Sequence, residues 1–216
     1  WRRVVGRLCV MVGGGWDGPV SVVLDGAGGH LRVAGTTGSG KTRLLESLAL
    51  GMAATHSPRD LNLLLIDFKG GNELAGVARL AHCVGAVSDR DTSEVDRAIA
   101  ALTRELARRD EAFASVGATD RADFLARSGA AMPRIVVIVD EFGQFRRDDA
   151  AGHRIGALLR IAAQGRSTGI PLVLATQSPR FAATAEIRQH VGARRVPPFA
   201  RACATLPGPG SPVAFP

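Results

Sequence analysis

The stretch Gly35-Thr36-Thr37-Gly38-Ser39-Gly40-Lys41-Thr42 decides how the rest of this 216-residue sequence is interpreted. Its glycines let backbone N–H groups curl around a phosphate, because no Cβ atoms stand in the way. At its end, Lys41 can reach the β- and γ-phosphates of a nucleoside triphosphate, and Thr42 can offer its hydroxyl to Mg²⁺. We therefore predict that residues 35–42 bind ATP and that Thr42 is a ligand of Mg²⁺.

The residues on both sides of this loop have the pattern that phosphate binding requires. Leu31 to Gly35 is a short apolar stretch that predicts a strand. After the loop, apolar residues recur at helical spacing as far as Met52, which predicts a helix from Lys41 to about Thr55. A loop that opens a helix places an anion at the helix N-terminus, where the helix dipole favours negative charge.

Further apolar stretches predict the other strands of a sheet. Residues 61–67 and 135–140 are nearly continuous apolar runs, as expected of buried parallel strands, and residues 83–87 and 170–176 are similar. Helical periodicity separates these runs, most clearly over residues 92–115. Strands that alternate with helices indicate an α/β fold, with a mostly parallel central sheet flanked by helices.

Composition divides the chain into three parts. Residues 1–19 are Gly-rich, and we predict an irregular N-terminal segment with at most a short strand near residues 10–12. Residues 20–195 carry the alternating strands and helices and form the predicted nucleotide-binding domain. Residues 196–216 have no periodicity and contain five prolines between positions 197 and 212, which predicts an unstructured tail.

Two acidic residues follow the most apolar of the predicted strands. Asp140 ends the run that begins at Ile135, which places its carboxylate beside the Mg²⁺ shell as a second metal ligand. Glu141 comes next and can polarise the attacking water as a general base. The prediction of hydrolysis, as distinct from ATP binding alone, rests chiefly on Glu141.

Four further polar residues are candidates for the reaction. Gln177 follows the predicted strand 170–176 and can hydrogen-bond the γ-phosphate or the attacking water, or it is simply a polar loop residue. Arg166 is a candidate arginine finger, a side chain that stabilises charge at the nucleotide of a neighbouring subunit. Arg194 and Arg195 compete with Arg166 for that role.

A short polar segment follows the predicted strand 61–67. In α/β sheets, ligands bind at the carboxyl ends of the strands, so Asp67 and Lys69 are expected to border the nucleotide. They can orient the phosphate loop or sense its state. The alternative is a turn that needs Gly70 and Gly71 for its shape.

The positive charge of the chain does not identify a nucleic acid partner. The net charge is +7, but Lys41 and Lys69 are the only lysines, so the excess reflects a general preference for Arg. Such a surface raises non-specific affinity for phosphates without defining a binding site. The pairs Arg108-Arg109 and Arg146-Arg147 are expected on solvated faces.

Cysteine and hydropathy patterns indicate a cytoplasmic location. The three cysteines are widely spaced and form no metal-binding pattern, which is typical of a reducing compartment. No apolar run reaches the length of about 18 residues that a membrane helix needs, so this segment itself is expected to make no membrane contact. The chain begins with Trp1, which leaves room for an upstream anchor at the inner face of the cell membrane.

Taken together, the motifs resemble the FtsK/SpoIIIE family of RecA-like motor ATPases. The resemblance runs from residue 17 to residue 195. It rests on Val33 to Thr42, Ile66 to Gly71, Ala81 to Val84, Val139 to Phe142, Gly165 to Gly169 and Leu174 to Pro179. After residue 195 the family usually continues with another strand, whereas this chain becomes Pro-rich.

One stretch points to a subgroup of that family. Asp67-Phe68-Lys69-Gly70-Gly71 is similar to the EccC-type ATPases of type VII secretion, whereas chromosome translocases usually have Asp-Pro-Lys at this place. The resemblance implies a RecA-like P-loop NTPase fold and phosphate binding by residues 35–42. It also implies that Asp140 and Glu141 serve Mg²⁺ and water, and that Gln177 is a sensor.

Three functions are compatible with the sequence. The first is a motor that hydrolyses ATP to export a protein, as a homo-oligomer or beside neighbouring ATPase domains. The second is a translocase that acts on double-stranded DNA. The third is a non-catalytic module in which ATP has a structural role, although the presence of Glu141 argues against it.

Overall fold

The computed structural model describes residues 8–15, 18–24, 29–70, 73–149, 151–177 and 202–205. The strands are β1 (Cys9–Gly15), β2 (Gly18–Val23), β3 (Leu31–Gly35), β4 (Leu61–Asp67), β5 (Cys83–Ser88), β6 (Arg134–Asp140), β7 (Leu172–Thr176) and β8 (Ala202–Thr205). The helices are α1 (Lys41–Thr55), α2 (Ala75–Ala78), α3 (Thr92–Val116), α4 (Arg121–Ser128), α5 (Phe142–Arg147) and α6 (His153–Thr168). Within this described part, every helix is too short or too polar to span a bilayer.

Strands and helices alternate through most of the chain and form one central sheet. The strand order is β5-β4-β6-β7-β3-β8. The five strands from β5 to β3 run parallel, and β8 runs antiparallel to β3. The predicted α/β fold with a mostly parallel sheet is confirmed.

The sheet is buried on both faces, which explains the continuous apolar runs. In β4, Leu63 and Leu65 belong to one core cluster, and Leu64 and Ile66 belong to the other. Helix α1 packs on the first face, and helices α3, α5 and α6 pack on the second. Successive strand residues point to opposite faces, so a strand covered on both sides must be apolar at every position.

The N-terminal segment is more regular than the sequence indicates. Residues 9–15, expected to be mainly irregular, form β1 and pair with β2 as an antiparallel hairpin. The hairpin packs on α1 so closely that a Cβ at Gly51 would lie 2.6 Å from Cγ1 of Val10. The glycines of β1 weaken its local strand signal, and burial against α1 stabilises it instead.

The predicted unstructured tail is corrected at four positions. Residues 202–205 form β8, which pairs with β3 from Arg32↔Thr205 to Gly35↔Ala202. Without β8, this edge of β3 would expose unpaired N–H and C=O groups, so the backbone of β3 offers a partner that no side-chain pattern reveals. The other residues of the predicted tail lie outside the described residues.

The expectation that Arg108-Arg109 lies on a solvated face is wrong for Arg109. That side chain is fully buried and donates hydrogen bonds to Glu105 and to three backbone carbonyls. The carbonyls belong to Thr168 and Gly169 at the end of α6 and to Pro133 before β6. Arg109 therefore ties α3 to two other elements, which helical periodicity cannot predict.

Candidate nucleotide-binding site

The carboxyl ends of four parallel strands meet at one edge of the sheet. Asp67 at the end of β4 is in register with Asp140 at the end of β6. Ala34 in β3 is in register with Thr176 in β7. The phosphate loop after β3 and the residues that follow β6 and β7 are thereby brought to the same edge, as expected for a ligand site in a parallel sheet.

The phosphate loop has the backbone shape that an anion needs. Gly38 and Gly40 have φ values of 79° and 84°, and a Cβ at either position would meet no atom within 4 Å. Gly40 precedes α1 without any side-chain cap, and the first turn of α1 has no acidic residue. The first N–H groups of α1 therefore have no competing carboxylate from that turn, and the helix dipole favours a phosphate there.

Lys41 and Asp140 form a buried ion pair at the centre of this edge. Their side chains are 5% and 0% exposed. Oδ1 of Asp140 also accepts a hydrogen bond of 2.8 Å from the backbone N–H of Glu141. Oδ2 of Asp140 is buried and has no hydrogen-bond partner within the described residues. A buried carboxylate oxygen without a donor is costly, and its chemistry suits a hard cation such as Mg²⁺.

Glu141 has a strained backbone beside the loop. Among the described residues, Glu141 is the one non-glycine residue with a positive φ, which is 55°. Its side chain is buried. Its carboxylate oxygens lie 3.3 Å and 3.4 Å from the backbone nitrogen of Gln177. Backbone strain of this kind clusters at functional sites, where the surrounding structure holds it in place.

Gln177 connects the loop with Glu141. The hydroxyl of Thr37 donates a hydrogen bond of 3.0 Å to the side-chain oxygen of Gln177. The backbone N–H of the same residue faces the Glu141 carboxylate. The structure thus brings Lys41, Asp140, Glu141 and Gln177 together with the phosphate loop.

Glu73 belongs to this edge and was missed by the sequence analysis. Its carboxylate accepts a hydrogen bond from the hydroxyl of Thr42 and another, of 2.8 Å, from Nζ of Lys69. These two hydrogen bonds, the one from Lys69 first, lower the pKa of the Glu73 carboxyl. No motif contains Glu73, and the one available signal was an acid placed shortly after Lys69.

Asp67 lies deeper in the same segment. Burial is the main cause that raises the pKa of its carboxyl, and the neighbouring Asp140 raises it further. Oδ1 of Asp67 accepts a hydrogen bond of 2.8 Å from the backbone N–H of Lys69, and Oδ2 has no hydrogen-bond partner in the described part. Asp67 therefore stabilises the turn after β4. A structural role in this turn is compatible with the other predicted role, which is to orient the phosphate loop or sense its state.

Of the candidate arginine fingers, Arg166 is not at this edge. Arg166 is exposed in the last turn of α6, and its stem packs beside Gly29, just before β3 begins. The phosphate loop starts at the other end of β3, about 16 Å away at the usual rise per residue of a strand. Arg166 is thus remote from the loop of its own chain. Arg194 and Arg195 lie outside the described residues.

The side chains present at the edge suit Mg²⁺ bound together with ATP. The described residues hold no group of three or more His, Cys, Asp or Glu side chains arranged for a metal ion. Mg²⁺ does not require such a group, because it is usually held by one or two carboxylates, phosphates and water. Two oxygens match that pattern: Oδ2 of Asp140, for which the described part of the chain offers no hydrogen-bond donor, and the hydroxyl of Thr42, the residue after Lys41.

Known proteins are similar to this chain in both sequence and fold. The FtsK/SpoIIIE family model matches residues 1–132. The chain is 36% identical to the type VII secretion system protein EssC of Staphylococcus aureus over 157 residues. This match covers 70% of this chain and 10% of EssC. Its fold matches the structure of the cytoplasmic domain of the Thermomonospora curvata type VII secretion ATPase EccC, with a TM-score of 0.79 and 32% sequence identity. The match covers 92% of this chain and 25% of the EccC chain.

A second structure of Thermomonospora curvata EccC contains ATPases 2 and 3 in complex with a signal sequence peptide. It matches with a TM-score of 0.79 and 27% identity, over 89% of this chain and 36% of that one. The chain therefore spans a small part of each of these relatives. With a RecA-like P-loop fold and relatives among the EssC and EccC proteins of type VII secretion, the chain belongs to the FtsK/SpoIIIE family of ATPases.

Proposed function

We propose that this chain binds ATP with Mg²⁺, hydrolyses it, and uses the energy to move a protein through a type VII-like secretion system. The observation that carries the proposal is the convergence of the phosphate loop, the Lys41–Asp140 ion pair, Glu141 and Gln177 at one edge of the sheet. Each of these groups has a distinct use in phosphoryl transfer.

Residues 35–42 bind the phosphates in this proposal. The N–H groups of the loop and of the first turn of α1 donate to phosphate oxygens. Lys41 exchanges its contact with Asp140 for the β- and γ-phosphates. Asp140 and Thr42 hold the metal, and Oδ2 of Asp140 is available for it. Mg²⁺ bound with ATP neutralises the charge that develops on the phosphate oxygens during transfer.

Glu141 and Gln177 act on the attacking water. Glu141 accepts a proton from the water, as a general base must, and its buried position limits competition from solvent. Gln177 touches both the loop and Glu141, so its side chain can orient the water and respond when the γ-phosphate leaves. This assignment agrees with the sensor role that the family resemblance implies.

Catalysis is completed by a second ATPase unit in this proposal. Arg166 is too far from its own phosphate loop to assist there, so in this proposal it would act on the nucleotide of a neighbouring unit. We therefore propose a homo-oligomer or an array of neighbouring ATPase domains, working in the cytoplasm. Arg194 and Arg195 remain alternatives for the finger.

The proposed substrate is an exported protein. The support is the similarity to EssC and EccC and the signal sequence peptide bound in one EccC structure. The surface charge that would favour double-stranded DNA is the main argument for the alternative, a DNA translocase.

Steady-state ATP hydrolysis by the chain and by Glu141→Gln tests the proposal. It should be measured over a range of protein concentrations, with and without duplex DNA or a signal sequence peptide. We expect turnover that rises with protein concentration and falls about 10²- to 10⁴-fold in the variant, while ATP binding is retained. Stimulation by DNA that weakens steeply with salt would favour the translocase. ATP binding without turnover at any concentration would favour the non-catalytic module.

A further inference from the structure

We infer that Glu73 is a positioning residue for the metal ligand Thr42, so that it sets the affinity for Mg²⁺ without touching the ion. The inference rests on the proposed function, because it takes residues 35–42 as the ATP site and Thr42 as a metal ligand. It adds a residue that lies in no phosphate-binding motif and follows a different strand.

The contact between Glu73 and Thr42 leaves the hydroxyl oxygen free for a cation. Oε2 of Glu73 accepts the hydroxyl proton of Thr42. A hydroxyl has one proton and two lone pairs, so a proton donated to Glu73 turns the lone pairs away from that carboxylate. The same contact draws electron density onto the oxygen, as outer-shell carboxylates do for other metal ligands.

Glu73 is itself held in place from two directions. Its Oε1 accepts a hydrogen bond from Nζ of Lys69, whose backbone N–H is fixed by the buried Asp67. The next residue, Leu74, is buried in the core cluster that also contains α1. The carboxylate therefore connects the end of β4 to the first turn of α1, and its position follows both elements.

The Lys69–Glu73 pair is partly exposed, so the effect of Glu73 on Thr42 can be distinguished from an effect on the stability of the fold. The two side chains are 33% and 30% exposed. Ion pairs with this much solvent contact contribute little to folding. Loss of Glu73 is thus expected to change metal affinity much more than it changes the stability of the fold.

The test measures binding of a non-hydrolysable ATP analogue by calorimetry, first in EDTA and then at increasing Mg²⁺. We expect Glu73→Ala to bind the analogue in EDTA at least as tightly as the parent chain, because a negative charge near the phosphates is lost. In Glu73→Ala, the Mg²⁺ concentration at which half of the metal-dependent gain in affinity is reached should rise about 10- to 100-fold. Glu73→Gln keeps a hydrogen-bond acceptor for Thr42, so its Mg²⁺ requirement should lie between those of the parent chain and Glu73→Ala.

A matched control is Glu46→Ala, which removes an α1 carboxylate that pairs with Arg43 instead of Thr42. It should leave the Mg²⁺ requirement unchanged. An unchanged Mg²⁺ requirement in Glu73→Ala, or an equal loss of affinity in EDTA and in Mg²⁺, would overturn the inference. If the parent chain fails to bind the analogue under any condition, the proposed function itself fails, which is a different result.

Discussion

Thr37 and Gln177 stand 140 residues apart in the chain, and the hydroxyl of Thr37 donates a hydrogen bond of 3.0 Å to the side-chain oxygen of Gln177. One partner lies in the phosphate loop after β3 and the other lies just after β7. The parallel pairing of β3 with β7 brings them together. Because the backbone N–H of Gln177 also faces Glu141, Gln177 links the phosphate loop to the residue that we propose as the general base.

Removal of the Gln177 side chain should slow turnover more than it weakens binding. If Gln177 acts in the transition state as proposed, Gln177→Ala is expected to lower kcat about 10²-fold, because a preorganised polar group is lost. Steady-state kinetics together with ATP binding measure the two effects. Gln164→Ala, an exposed glutamine on α6, is the control and should change neither. An affinity loss as large as the loss of kcat would contradict a role in the transition state.

The Lys41–Asp140 pair should affect stability as well as binding. Lys41→Met leaves the Asp140 carboxylate buried without its counter-charge, which is expected to cost about 3–5 kcal/mol in the free energy of unfolding. The double variant Lys41→Met/Asp140→Asn should recover most of that loss. Urea unfolding measures both. Arg43→Met, which breaks the exposed Arg43–Glu46 pair, should have little effect. A double variant as unstable as the single one would argue against the uncompensated charge as the cause.

The strained backbone of Glu141 should reverse the usual order of glycine and alanine. At its φ of 55°, Glu141→Gly is expected to be more stable than Glu141→Ala by about 1 kcal/mol, because glycine adopts this conformation without a steric penalty. Denaturant unfolding compares the two. At Gln144, inside α5, the order should be the opposite by a similar amount. Alanine equal to glycine at position 141 would mean that the strain is relieved in solution.

Arg109 and Arg108 are neighbours with opposite surroundings, so they form a natural pair for comparison. Arg109→Gln removes a fully buried guanidinium that binds the end of α6 and Pro133, and should destabilise the fold by about 3 kcal/mol. Arg108→Gln, on the exposed side of α3, should change stability by about 0.5 kcal/mol or less. Similar losses in the two variants would show that the buried hydrogen bonds of Arg109 contribute little.

The stability that Glu105 contributes should depend on pH in the acidic range. Hydrogen bonds from Arg108, and then from Arg109, lower the pKa of Glu105 from 4.5 to about 2. The folded state therefore keeps the carboxylate more readily than the unfolded state, so the contribution is complete above pH 4.5 and is lost as pH falls towards about 2. The difference in unfolding free energy between the parent chain and Glu105→Gln should shrink over this interval. A difference that stays constant down to pH 2.5 or so would contradict the lowered pKa.

Local patterns in the sequence predicted most of the fold and the center of the site. The glycines of residues 35–42 have a backbone requirement that depends on the loop alone, and Asp140 and Glu141 end an apolar strand whose burial is evident from its composition. The order of strands and helices follows from periodicity, because each element must bury its own apolar face.

Tertiary structure alone determined the contacts between distant segments that have no recognisable sequence pattern. Glu73 contacts Thr42, and Arg109 contacts the carbonyls at the end of α6, because packed helices and paired strands set their distances. The pairing of residues 202–205 with β3 depends on a backbone edge that any sequence can use. A local pattern reports which residues prefer burial or a given turn, whereas a polar partner far along the chain is selected only when the whole sheet has formed.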